Sequence, residues 1–141
     1  MQPETAIVIG LFSWLRDMPA PYPVAGPNLS FNPPRDAQGE LLPYLSVKVM
    51  PARPDDVGVS RGSVGMIGIM QVSVFFPKGK ALTPAIDAAG AIARRFAFTT
   101  VIRYDGVNIK ITGTPAVEGD LEEDDRVQVP VSIPYQAFVP N

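Results

Sequence analysis

The stretch "APYPVAGPNLSFNPP", residues 20–34, places five prolines in fifteen residues, and it constrains the fold more than any other part of the chain. Each proline fixes φ at about −65° and removes a backbone donor, so neither a helix nor an interior strand runs through it. Such a stretch suits a linker, but a linker joins two domains. The 141 residues make an ordinary single domain, one that buries roughly two thirds of the surface its unfolded chain exposes. The sequence therefore predicts one domain over residues 1–141. Residues 20–43 form a stiff proline-rich arm from a first helix to a sheet, anchored by Val24, Leu29 and Phe31.

On either side of the arm the apolar periodicity is regular. Residues 3–18 read as a helix: Pro3 suits the first turn, Glu4 favours the positive helix N-terminus, and Ile7, Leu11, Leu15 and Met18 recur at helical spacing. Val8, Phe12 and Trp14 widen that stripe, which predicts burial on two sides. Strands follow at 44–50 and 65–76, the second with Met70, Val72, Val74 and Phe76 on one face. The intervening 51–65 is too long for an ordinary hairpin connection and reads as a mobile loop. A second helix spans 82–96, with Thr83 as N-cap and Pro84 in the first turn, and its small Ala85, Ala88, Ala89 and Ala93 permit close packing. Asp105 and Gly106 sit between two alternating runs over 99–112, the signature of a two-residue hairpin.

The last strand, 126–135, carries Val127, Val129, Val131, Ile133 and Tyr135 on one face and Pro130 and Pro134 on the other. Residues an even number apart point their N–H groups to the same side, so the prolines blank one edge, and the strand is expected at an edge or interrupted where another chain approaches. The expected fold is α+β: an antiparallel sheet of about four to five strands with two helices packed on one face.

Composition excludes much chemistry. Without cysteine or histidine there is no disulfide, thiolate nucleophile, imidazole base or zinc site built on N or S ligands. A net charge of −2, with basic residues scattered apart from Arg94 and Arg95, gives no face for holding nucleic acid. The apolar run at 6–15 follows Glu4 rather than a positive charge and is too short to span a bilayer, so the protein is expected in the cytoplasm with no membrane anchor.

One dense charge cluster stands out, "EGDLEEDD", residues 118–125. Its Glu118, Asp120, Glu122, Glu123, Asp124 and Asp125 read first as a solvated acidic loop. Alternatives are an electronegative patch facing a partner or channel and, least, a hard-cation site, since the order of a calcium loop is missing. Asp55 and Asp56 are adjacent in a glycine-bearing loop with nothing to hold them at an acid–base separation. The glycines of 58–68 lack the lysine and following helix of a phosphate loop. Enzymatic function, including a metal-dependent hydrolase using the acidic loop, finds no support, and no cofactor is expected.

Taken in order, "PVAGPNLSFNPP" after the first helix, "PYLSVKVMPARP", the glycine-bearing loop into "GIMQVSVFFPKGKA", "PAIDAAGAIARRF" and the closing "VQVPVSIPY" resemble the tail terminator family of long-tailed bacteriophages, the minor tail protein U-like group, from about residue 3 to 138. The resemblance implies a structural virion protein: a hexameric ring that caps the tail tube, ends its polymerisation and offers the surface to which the head–tail connector attaches. Its place would be the head-proximal end of the tail, assembled in the host cytoplasm, with DNA passing through unread. The alternative within the same class is a head completion or neck ring protein. A ring needs two different surfaces per subunit. Candidate contact residues are Trp14 on the wide helix arc, Pro27, Asn28 and Phe31 in the arm, Arg53, Asp55, Asp56 and Arg61 in the long loop, and Pro130 and Pro134 on the last strand.

Overall fold

A computed structural model describes residues 1–18, 22–26, 32–52 and 63–140, with residues 63, 64, 139 and 140 described by their backbone alone. The elements are α1 (Pro3–Arg16), β1 (Val24–Ala25), β2 (Tyr44–Pro51), β3 (Ser63–Pro77), α2 (Thr83–Arg95), β4 (Val101–Tyr104), β5 (Val107–Ile111), β6 (Ala116–Val117), β7 (Leu121–Glu122) and β8 (Arg126–Pro140).

Helix α1 begins as expected, with Pro3 and Glu4 in its first turn. It stops at Arg16, short of Met18, because Met18 precedes Pro19 and a residue before proline is driven out of the α region. In α2, Pro84 lies in the first turn, but the N-cap is Leu82 rather than Thr83 and makes no side-chain cap bond. The Leu82 carbonyl instead accepts from the amides of Ala85 and Ile86, at 3.0 and 3.1 Å.

All eight strands belong to one sheet, in the order β1-β2-β3-β8-β5-β4, with β6 and β7 also paired to β8. The class is α+β, but the expected four to five antiparallel strands are too few, and the sheet is mixed. β1, drawn from the arm, runs parallel to β2, and the Leu45 amide donates to the Pro23 carbonyl at 2.8 Å. A proline carbonyl still accepts, so a proline-rich segment adds an edge strand where it could not add an interior one.

Alternation decides the faces. Met70, Val72, Val74 and Phe76 of β3, Val129, Val131, Ile133 and Tyr135 of β8, Leu45 and Val47 of β2, and Ile109 and Ile111 of β5 join Ile7, Leu11 and Leu15 of α1 and Ala85, Ala89 and Ile92 of α2 in one buried cluster. Each large apolar side chain so buried contributes about 1.5–3 kcal/mol. Gly10 lets α1 lie close over the β4–β5 hairpin: a Cβ there would stand 2.9 Å from Ile109 Cδ1 and 3.1 Å from Tyr104 Cβ. At the hairpin turn Asp105 and Gly106 have φ of 46° and 79°, the paired positive values of a type I′ turn.

The largest departure from expectation is β8, which lies inside the sheet rather than at its edge. One side pairs with β3 along its length, from Pro77↔Arg126 to Ser63↔Pro140. The other side meets β7 at 127–128, β6 at 131–132 and β5 at 135–138. Pro130 falls in the gap between β7 and β6, and Pro134 in the gap between β6 and β5. Their carbonyls accept from the amides of Glu118, at 2.8 Å, and Thr112, at 3.1 Å. In an antiparallel strand a residue's N–H and C=O point to the same side, so the missing donors do face that side and stop the ladder there. The side is nonetheless covered, by three short strands.

The described part of the arm also departs from an extended run. Residues 35–41 close into a tight loop: Arg35 bridges Leu41, Asp36 Oδ1 accepts from the amides of Gln38 and Glu40 at 2.9 Å each, and Gly39 has φ of 79°. An aspartate that caps the backbone two and four residues on is the side-chain device that closes such turns.

Candidate functional site

At the C-terminal ends of α1 and α2, Trp14 and Arg95 hold each other. Trp14 Nε1 donates to the Arg95 carbonyl and Arg95 Nε donates to the Trp14 carbonyl, both at 2.9 Å, while the guanidinium lies 3.9 Å from the indole centroid. One side chain therefore satisfies a C-terminal carbonyl of α2 and the other a carbonyl of α1, groups that lack intrahelical donors. Trp14, a candidate for subunit contact, is half-buried and engaged within its own chain.

A second cluster gathers where β8 starts. Arg126 Nε donates to Asp125 Oδ1 at 2.8 Å, an Arg126 amino group donates to the Tyr44 hydroxyl, and Tyr44 stacks on Phe75 with centroids 4.7 Å apart. Asp125 also meets Arg35 at 3.5 Å, and its carbonyl accepts from the Lys78 amide at 3.1 Å. The hydrogen bond from Arg126 holds the Asp125 carboxyl below its ordinary value, and the same bond fixes Arg126 as a cation. This ties the hairpin-like loop at 35–41, the first residue of β2 and the acidic loop to one strand end.

The six acidic residues of 118–125 thus divide. Asp125 and Glu123 are used internally, Glu123 accepting from Gln128 Nε2 at 3.1 Å and lying 4.0 Å from Arg126. Glu118, Asp120, Glu122 and Asp124 are exposed. Among the described residues no group of three acidic, cysteine or histidine side chains is placed to hold a metal ion. β7 lies inside this stretch, so it is not a free loop throughout: Leu121 and Glu122 pair with β8.

On the sheet face opposite the helices, Met50, Ile69 and Pro134 are aligned by register across β2, β3 and β8. Met50 and Ile69 remain 38% and 43% exposed, which makes this an uncovered apolar row in the middle of a sheet. Pro134 joins it, whereas Pro130 is buried. The remaining contact candidates, Pro27, Asn28, Phe31, Arg53, Asp55, Asp56 and Arg61, lie outside the described residues, as does Leu29.

A cavity of about 460 Å³ opens between the first turns of α1 (Glu4, Ile7, Val8), the end of β2 (Val49, Pro51, Ala52) and β3 (Met66, Ile67), with Tyr135 in its wall. Tyr135 lies across Gly68, its partner in register. A Cβ at that glycine would meet the tyrosine ring at 2.7 Å and the Met50 carbonyl at 2.8 Å. Burial pushes the Tyr135 phenol up, so it stays neutral near pH 7. Apart from Glu4 and this hydroxyl the lining side chains are apolar, and they hold no nucleophile beside a base. Sequence reasoning missed this arrangement and the Arg126 cluster. A glycine inside a strand, signalling close approach, was the one available hint to Gly68.

Comparison with known proteins bears on these surfaces. A family model described as phage tail terminator protein matches residues 5–135. No curated protein matches the chain. Six solved chains do. One of them is 25% identical over 98% of this chain and 95% of its own length, superposes with a TM-score of 0.70, and bears a name that states no function.

Proposed function

The chain belongs to the phage tail terminator family, a family of structural tail proteins, and from that premise we propose that it forms a hexameric ring capping the tail tube. The ring ends tube polymerisation and presents the surface that receives the head–tail connector. The family match carries this reading, because it runs from the first turns of α1 to Tyr135 in β8 and so takes in both helices and strands of the whole sheet.

The physical features support it. A closed ring of one kind of subunit uses two unlike surfaces. The exposed row at Met50, Ile69 and Pro134 is one apolar surface, on the far side of the sheet from the helices. Pro27, Asn28, Phe31, Arg53, Asp55, Asp56 and Arg61 stay as contact candidates from the sequence. Trp14 is better read as the lock between helices. Glu118, Asp120, Glu122 and Asp124 would line or border the DNA path, where negative charge repels the phosphate backbone and lets the duplex slide. No catalytic role is assigned. Among the described residues no helix is long and apolar enough to cross a membrane, and the place proposed is the head-proximal end of the tail.

Electron microscopy of particles made without this protein tests the reading. Tails of uncontrolled length are expected. Filled heads without tails, beside free tails of normal length, would overturn it in favour of a head completion or neck ring.

A further inference from the structure

Strand β4 ends the sheet, and no strand among the described residues covers its outer side. Tyr104 and Val107 close the hairpin about a two-residue turn, so that pair and Ile102–Ile109 are the hydrogen-bonded ones. The amides and carbonyls of Val101 and Arg103 therefore point away from β5. Such an edge is a template for another strand, and proteins usually spoil it with proline, lysine or a bulge. This chain stops the second side of β8 with Pro130 and Pro134 and shortens its other end strand, β1, to two residues beside Pro23. β4, with the sequence VIRY, has none of these devices.

What surrounds the edge is apolar and held outward. Phe98 and Val101 are 53% and 40% exposed. Between them Thr99 has φ of 76°, a left-handed conformation that costs a β-branched residue about 1–3 kcal/mol and turns the chain from α2 into β4. Strain kept beside an unpaired edge and an exposed phenylalanine marks a surface shaped for contact rather than for solvent.

We propose that the outer edge of β4 receives an extended segment of a second copy of this chain, joined by backbone hydrogen bonds at Val101 and Arg103 and flanked by Phe98. The inference rests on the ring reading and deepens it. The edge occurs once per chain, and the opposite end of the sheet is built differently, so pairing there is head-to-tail, the kind of contact that closes a ring.

Val101→Pro and Arg103→Pro each remove one outward N–H while leaving the bonds of Ile102 and Tyr104 to β5 in place. Light scattering over a concentration series should show assembly needing about tenfold more protein in either variant, the effect of one lost intersubunit bond and its neighbours. Circular dichroism of the dilute variants should match the parent. Hydrogen exchange on the unaltered chain gives a second readout that no folding defect touches: the amides of Val101 and Arg103 should exchange fast in the dilute monomer and slowly in the assembly. Assembly of both variants at the parent's concentration, or fast exchange at both amides within the assembly, overturns the proposal and leaves the ring standing. Protection that arises only when tail tubes are added assigns the edge to a different protein and likewise overturns it. A chain that stays monomeric at every concentration and on tube ends would overturn the ring as well.

Discussion

Trp14 and Arg95 make a sharp prediction for a double-mutant cycle. Each side chain hydrogen-bonds to the other residue's backbone carbonyl, at 2.9 Å in both directions. A carbonyl survives substitution of its side chain, so Trp14→Leu deletes one bond and spares the other, and Arg95→Met does the reverse. Only the guanidinium, 3.9 Å from the indole centroid, couples side chain to side chain. Each bond is worth about 0.5–1.5 kcal/mol net, and a stack at a partly exposed site about 0.5–1 kcal/mol. Arg95→Met should therefore cost about 1–2.5 kcal/mol. Trp14→Leu adds the loss of part of a half-buried aromatic surface, about 1 kcal/mol, for a total of about 2–3.5 kcal/mol. Both single variants lose the stack but the double variant loses it once, so the double should fall short of the sum by about 0.5–1 kcal/mol. Urea unfolding followed by far-ultraviolet circular dichroism measures this, because Trp14 is the sole tryptophan and its fluorescence vanishes in the variants. Additivity within about 0.3 kcal/mol would remove the stack from the account. A coupling above about 2 kcal/mol would show that the two hydrogen bonds depend on each other, which refutes the backbone argument.

Two further outcomes follow from the geometry. Gly68→Ala, ordinarily neutral or favourable in a strand, should destabilise by about 1–3 kcal/mol, because the added carbon meets a tyrosine ring and a backbone carbonyl rather than a flexible side chain; an unchanged thermal midpoint would mean that Tyr135 moves aside freely. Asp125 has its folded-state pKa depressed below 3.8 by the hydrogen bond from Arg126, so its contribution is present above 3.8 and lost as pH falls through the lower folded value. The difference in urea midpoint between the parent and Asp125→Asn should thus be steady near neutrality and close in acid, whereas a difference that persists unchanged below the folded value would show that the carboxylate charge is not its source.

The sequence by itself determined the elements whose signals are local. Ile7, Leu11 and Leu15 place α1, the even residues Met70 to Phe76 place the buried face of β3, and Asp105–Gly106 fixes a type I′ turn, because periodicity and left-handed φ depend on a residue and its near neighbours. The family resemblance was legible in the order of such pieces. β6, β7 and β1, at two residues each, are too short for any alternation to register, so the count of strands was not legible.

Tertiary structure alone decided what those pieces meet. Pro130 and Pro134 do silence one side of β8, as their spacing requires, but whether that side lies open depends on residues 107–122, which return to cover it. Trp14 looked available for a partner until Arg95, 81 residues away, was found beneath it. Tyr44, Asp125 and Arg35 come together only through strand register. A residue's own backbone geometry is fixed by bonds of fixed length, whereas its partners are chosen by how the sheet closes, and that choice is made by burial summed over the whole chain.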